Sequence, residues 1–285
     1  MNLFSNPEWI EPYAYSFGTV EEVPQSVFDE INARLDQKRS ANPLVSILVA
    51  AYNEEINILR CISTLSALET EVPFEIIAIN NNSQDRTQVT MDKLHINCLY
   101  QPIQGCGPAR QLGQEQARGT YILLADADCL YPTNWLNKML ATLQQPGVVC
   151  VYGRYSFIST PTIPRWHLFI HETLKDAIAV VRHFKRPYLN AYGISMGYVK
   201  EAGMAAGYIM HNTWGDDGRL CFDMMKYGKV RTMTARSARV WTAPRSLLRD
   251  GTAGQALRKR ITGEVKSMFS YLSEHPAHDT KTSKN

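Results

Sequence analysis

The chain has 285 residues, 45% of them apolar and 20% charged, with a formal charge of +3 at neutral pH. That length can bury the core of one large α/β domain, and the composition is that of an ordinary globular protein rather than a disordered one. So small a charge makes no case for nucleic acid, and no apolar run approaches the ~18 residues needed to cross a bilayer.

Residues 1–40 are polar and hold Pro7, Pro12 and Pro24, which predicts an extension with one short helix around Ser26–Lys38. Leu44–Ala51 then reads as a buried strand, being short, apolar and β-branched. Glu54–Leu68 has helical spacing through Ile58, Cys61, Ile62 and Leu65. The alternation continues with a strand at Phe74–Ile79, a helix at Asp85–Leu94 and a short strand at Ile96–Tyr100. A helix is expected at Pro108–Arg118, with proline where its missing N–H costs nothing. A strand at Tyr121–Ala125, a helix at Asn134–Leu143 and a strand at Val148–Tyr152 complete the regular half. Strands separated by helices of this length imply parallel βαβ units, whose ligands gather beyond the carboxyl ends of the strands. The second half is less regular: helices at Arg165–His183 and Asp216–Tyr227, an extended Ala191–Val199, and one or two strands in Val230–Trp241. A terminal helix at Gly254–Leu272 and a polar tail at His275–Asn285 close the chain. The expected fold is an α/β, mostly parallel sheet flanked by helices in one domain.

The chemistry begins at Tyr121–Asp128, YILLADAD, where an apolar strand ends in two carboxylates two positions apart. In extended chain such residues point the same way, so Asp126 and Asp128 can address one ligand. Two hard oxygens, a diphosphate and water would complete an octahedral Mg²⁺ or Mn²⁺ shell; the plainer alternative is a strand end with acidic turn residues. Three more carboxyl-edge segments are polar or turn-rich. These are AAYNEE with Ala51, Tyr52 and Glu54, Asn80-Asn81-Asn82-Ser83, and GCGPARQLG with Arg110. Each has its own structural reading, the asparagines as turn formers and caps and Arg110 as a surface helix residue.

Taken in order, VSILVAAYNEE, EIIAINNNSQDRT, GPARQLG and ARGTYILLADAD resemble family 2 of the inverting glycosyltransferases, whose fold is GT-A. The likeness is strong over residues 44–153 and weaker over 190–232. It implies that Ala51, Tyr52 and Glu54 line a nucleotide site, that Asn81 stands where an Asp usually meets the base, and that Arg110 lies near base or diphosphate. It also implies that Asp126, Ala127 and Asp128 hold ribose and a divalent cation, with Asp126 and Asp128 as ligands. Asn80-Asn81-Asn82 departs from the family's acidic pair and glycine, which leaves the base open. Trp214-Gly215-Asp216-Asp217 resembles the family's acidic pair before a helix. On that mapping Asp217 is the general base for an acceptor hydroxyl and Asp216 orients it; the competing reading is that both cap a helix. Ser195 and Trp214 are weaker acceptor-side candidates, and His211, His275 or His278 could complete a metal shell. The Gln-x-x-Arg-Trp motif of processive synthases is absent, which favours a single transfer.

The resemblance divides the chain into an extension (1–40), a GT-A domain (41–245) with nucleotide-sugar (44–153) and acceptor (154–245) halves, and a C-terminal helix and tail (246–285). The expected activity is metal-dependent transfer of a sugar from a nucleotide-diphosphate sugar, with inversion, to a saccharide, lipid-linked or small-molecule acceptor. The alternatives are a retaining GT-A transferase, a sugar nucleotidyltransferase, or a non-catalytic binding protein. Six scattered cysteines without a CxxC pair, and an opening stretch unlike a signal peptide, point to a cytoplasmic protein. Residues 236–266 hold eight basic and two acidic side chains, which suits an anionic ligand or peripheral contact with an anionic membrane.

Overall fold

A computed structural model describes residues 4–212 and 215–245. A central seven-stranded sheet contains β1 (Val45–Ala51), β2 (Phe74–Asn80), β3 (Asn97–Tyr100), β4 (Tyr121–Asp126), β6 (Val148–Tyr152), β8 (Met196–Val199) and β9 (Lys229–Thr232). Its order is β3-β2-β1-β4-β8-β6-β9. All pairings are parallel except those of β8, which runs antiparallel to both β4 and β6. The sheet is thus mixed and mostly parallel, as expected. Its helices are α2 (Asn57–Ser66), α3 (Thr87–Asp92), α4 (Cys106–Gln116), α5 (Trp135–Leu143), α7 (Lys200–Ala206) and α8 (Asp216–Met224). None of the described helices is long and apolar enough to cross a membrane.

The near-continuous apolar runs of β1, β2 and β4 follow from burial on both faces. One face carries Ile47, Val49, Leu123 and Ala125 against the α2 and α5 side; the other carries Leu48, Ile122 and Leu124 against the side of α4 and α8. Helix α1 (Gln25–Lys38) is longer than a stray turn in an extension. It seats Phe28, Ile31 and Leu35 in the larger core, so residues 25–38 belong to the body of the protein.

Three short strands form a second sheet in the order β5-β10-β7, from Cys129–Leu130, Val240–Thr242 and Tyr155–Phe157. Their two or three residues are too few for a periodic signal, and neither β5 nor β7 is legible in the sequence. Against β7 lies α6 (Arg165–Lys185), anchored by a fully buried ion pair, Arg165 Nη2 to Glu172 Oε2 at 2.6 Å. Glu172 also accepts from Ser156 Oγ at 2.9 Å and from the Phe157 N–H at 2.8 Å, so one carboxylate ties the helix to the strand. Trp214 and the expected helix and tail at 254–285 lie outside the described residues.

Candidate active site

The parallel strands β1, β2 and β4 share one carboxyl edge, with Ala51 level with Asn80 and Ala50 level with Asp126. The chain must turn sharply there, and it does so at Asn53 and Asn82, with φ of 54° and 59°. Asparagine tolerates this left-handed conformation better than other chiral residues. The two turns are stitched together, Asn53 N–H donating to Ser83 Oγ at 3.0 Å and Gln84 N–H to Asn53 Oδ1 at 2.7 Å. Ala51 and Ala127 are buried at this edge and Tyr52 is exposed.

Arg110, buried on α4, is the centre of the cluster. Its guanidinium donates to Asp126 Oδ1 at 3.0 Å and to Asp217 Oδ1, and lies 3.7 Å from Asp216 Oδ2. Asp217 Oδ2 accepts the Gly193 N–H at 2.7 Å. Only glycine fits at 193, since an added Cβ would stand 1.9 Å from Arg110 Nη2. Gly107 is held likewise, its absent Cβ pointing 2.3 Å from the Ile209 carbonyl oxygen. One guanidinium therefore faces three carboxylates. Burial pushes the Asp126 carboxyl up to about 7 against the pull of Arg110. Burial, then the adjacent Asp217, pushes Asp216 up to about 6. Asp216 Oδ2 is buried with no hydrogen-bond partner, although it sits in the first turn of α8, where carboxylates are favoured.

A second cluster adjoins the first. Arg245 donates to Glu54 Oε1 at 2.8 Å and to Asp128 Oδ2. Glu54 also accepts from Asn57 Nδ2 at 2.7 Å, while burial raises its pKa. The candidate ligand atoms of Asp126, Asp128 and Cys129 lie within 4.8 Å of one another; no histidine joins such a group among the described residues. Burial holds the Cys129 thiol far above the ordinary range, and it donates to Asp128 Oδ1 at 3.3 Å. The carboxylates of Asp126 and Asp128 offer hard oxygens of the kind that suit Mg²⁺ or Mn²⁺.

The fold thus gathers Arg110, Asp126, Asp216 and Asp217 directly, and Glu54 and Asp128 through Arg245. Asn81 is buried and holds backbone: Oδ1 accepts the Gly105 N–H at 2.7 Å, and Nδ2 donates to the carbonyls of Ile103 and Gln101 at 2.7 and 3.2 Å. Its amide splints the loop leading into α4. Ser195 is also buried, its hydroxyl accepting from Trp135 Nε1 at 3.0 Å, so its side chain packs in the core and offers no surface to an acceptor. His211 is exposed; Trp214, His275 and His278 lie outside the described residues.

Two contributors escape a reading by motif. Arg245 shows in the sequence only as one of a run of basic residues. Buried Tyr131 accepts the Asp126 N–H at 2.8 Å and donates to the Ile194 carbonyl at 3.0 Å, fixing the exit of β4 against the chain that leads to β8.

Comparison with known proteins speaks to the family and the fold. The sequence model of "Glycosyl transferase family 2" matches residues 46–207, from β1 through α7. Glycosyltransferase AglE of Haloferax volcanii is 28% identical over 151 residues, 49% of this chain and 49% of that protein. The chain thus matches only about half the length of that relative. A mannosyltransferase of Pyrobaculum calidifontis, solved with GDP-Man and Mn²⁺, aligns with a TM-score of 0.56 at 16% identity, covering 87% of this chain and 80% of the other. TarS of S. aureus, residues 1–349 with UDP-GlcNAc, aligns at 0.52 and 16%, covering 70% and 58%. At such identities the two structures speak for the fold alone, which is the GT-A fold. Since the family match covers more than half of the chain and takes in Glu54, Arg110, Asp126 and Asp128, the chain belongs to glycosyl transferase family 2.

Proposed function

We propose that the chain is a divalent-metal-dependent glycosyltransferase that moves a sugar from a nucleotide-diphosphate donor to an acceptor hydroxyl with inversion. The observation that carries this reading is the gathering of Asp126, Asp216 and Asp217 around one buried arginine at the carboxyl edge of a parallel sheet. Asp126 and Asp128 would hold the metal, which when bound neutralises charge on a leaving diphosphate. The two solved relatives carry GDP-Man and UDP-GlcNAc, which supports a nucleotide-sugar donor without choosing its base.

The protein's own groups then have distinct tasks. Ala51, Tyr52 and Glu54 border the nucleotide, and Asn81 shapes that border through the loop it splints. Arg110 holds Asp126 and Asp217 at fixed positions, so neither must reorganise during transfer. Asp217 takes the acceptor's proton; each of its oxygens already accepts one hydrogen bond, from Arg110 or Gly193, and keeps a second lone pair. Attack from the face opposite the leaving diphosphate inverts the anomeric carbon, as in inverting hydrolysis. One observation favours a second assignment of the base: Asp216 Oδ2 is buried with no hydrogen-bond partner, and burial raises its pKa to about 6. Asp217→Asn and Asp216→Asn separate the two.

A cytoplasmic location, and peripheral contact of residues 236–266 with an anionic membrane, belong to the same proposal. Most of that segment lies outside the described residues. The test of the reading is a thermal-shift screen of nucleoside diphosphates and their sugars with and without Mn²⁺. Because a ligand of the native state stabilises it by mass action, one nucleotide family should raise the melting temperature, and more so with metal. If none does, the reading fails.

A further inference from the structure

A cavity of about 170 Å³ opens beside the active-site cluster, between the C-terminal half of α6 and the turn joining β6 to β7. One of its lining residues adjoins a hydrogen-bond donor to the proposed base. Tyr192 lines the cavity, and the next residue, Gly193, donates its N–H to Asp217 at 2.7 Å. The Tyr192 ring meets Tyr155 edge-on, with centroids 6.1 Å apart.

The lining is cationic. Arg154, Lys175 and Arg182 line the cavity together with one acid, Asp176, and with His183, whose charge burial disfavours. That acid is already shared by Arg239 at 2.6 Å and Arg154 at 3.4 Å. Lys175 makes no ion pair among the described residues. Its ammonium donates to the Tyr155 carbonyl at 2.8 Å and sits 3.2 Å from the Tyr155 ring centroid. Burial, then the nearby Arg239, lowers its pKa to about 7, outweighing the pull of Asp176 and Glu172. His183 faces Tyr152 Oη at 2.7 Å, and burial keeps it below its ordinary pKa.

The rim is apolar. Val180 and Phe184 line the cavity while remaining 48% and 76% exposed. From them a stripe runs back along one face of α6 through Ala177, Thr173 and Ile170 to Trp166, uninterrupted by charge. Ile170 and Trp166 are 50% and 44% exposed. At 1.5 Å per residue the stripe is roughly 27 Å long. Only Arg165, Leu168, His171 and Glu172 of this helix are buried, so the outer face is uncovered by the described residues.

We propose that this cavity and stripe seat an anionic, membrane-borne lipid: its phosphate group sits among Lys175, Arg154 and Arg182, its apolar part follows Val180, Phe184 and Ile170, and the acceptor hydroxyl is thereby presented to the active site. The proposal rests on the transfer reading above and names the acceptor's class. Charge selects this occupant over the chain's own residues 246–285. That segment has seven basic and four acidic side chains, the same sign as the cavity. A helix with an apolar face and basic flanks is also the physical form of an interfacial element.

The test uses the full chain and co-sedimentation with phosphatidylcholine vesicles, with and without phosphatidic acid. Binding should require phosphatidic acid. Phe184→Ser, at an exposed position, should weaken it about tenfold, as expected for losing one buried aromatic side chain. Lys175→Gln should weaken it about fivefold through the lost charge. Replacing Lys281 and Lys284, basic residues outside both α6 and 236–266, by Gln should leave binding unchanged. Every variant should keep the wild-type thermal shift with nucleotide and Mn²⁺, so a missing shift in the wild type counts against the transfer reading, not against this site. The proposal is overturned if binding ignores Phe184→Ser and Lys175→Gln. It is overturned too if phosphate esters in solution stabilise the protein while vesicles are left unbound, which would mean a soluble acceptor.

Discussion

The two flanks of the central sheet solve different problems. On the β3-β2-β1-β4 side the strands are parallel and covered on both faces, and nearly every polar group at the edge has a partner within the chain, from Asn53 with Ser83 to Asn81 with the loop before α4. On the β8-β6-β9 side the direction reverses at β8, the strands are short, and α6 leaves an apolar face and a cationic cavity uncovered. The first arrangement fixes a rigid edge for a constant ligand. The second leaves chemistry to spare, which is where a variable partner is expected to fit. Arg110 joins them, since it comes from α4 and holds an aspartate from each flank.

The comparison breaks first at Asp128. Asp128→Ala should abolish metal-dependent donor turnover while the protein stays folded; full activity in EDTA would remove the metal from the account. Asp217→Asn should next separate the flanks functionally. Transfer should fall ~10²–10⁴-fold, the range of general-base catalysis, with donor binding intact. A mild loss there, with a severe one for Asp216→Asn, moves the base by one residue. Third, Arg165→Met strands a buried carboxylate, Glu172, in the 154–245 half and should cost about 3–5 kcal/mol in denaturant unfolding. Donor-induced stabilisation should survive it if the two flanks are energetically separate.

The smallest effect concerns the far end of the parallel flank. Glu75 is buried, which works against its charge. Yet it accepts from Ser46 Oγ, the Arg118 N–H and the Arg118 guanidinium, and its pKa ends below the ordinary value. A carboxyl with depressed folded pKa contributes stability above its unfolded value of 4.5, lost as pH falls through the lower folded one. Glu75→Gln should therefore lower stability at neutral pH and flatten the acid limb of the stability curve. An acid limb identical to wild type would show that the Arg118 contact adds nothing.

Periodicity and edge chemistry made the parallel flank legible. The strand Val148–Tyr152 has the predicted ends, and β1, β2, β4, α2 and α5 fall within a few residues of theirs. Burial on both faces leaves a strong local signature, and caps and turns lie next to what they punctuate. The acidic pairs and Arg110 were readable for the same reason, as polar interruptions at strand and helix ends. What stayed hidden depends on distant partners. Arg245 reaches Glu54 across 191 positions, and nothing in its neighbourhood announces that. Ser195 and Asn81 were assigned from their place in a motif, while the side chains are engaged by Trp135 and by backbone around Gly105, neither of them local. Strands β5 and β7 exist only because β10 lies between them.

Arg245 has one more consequence. On the proposed metal reading, an ion arriving at Asp128 meets a guanidinium already in residence and tethered to the same chain. A tethered rival cannot be diluted away; it competes at an effective concentration that flexible connections commonly set in the mM range. Apparent affinity for manganese would then report the outcome of an exchange rather than of simple filling, and the backbone around residue 245 would register each ion that comes and goes.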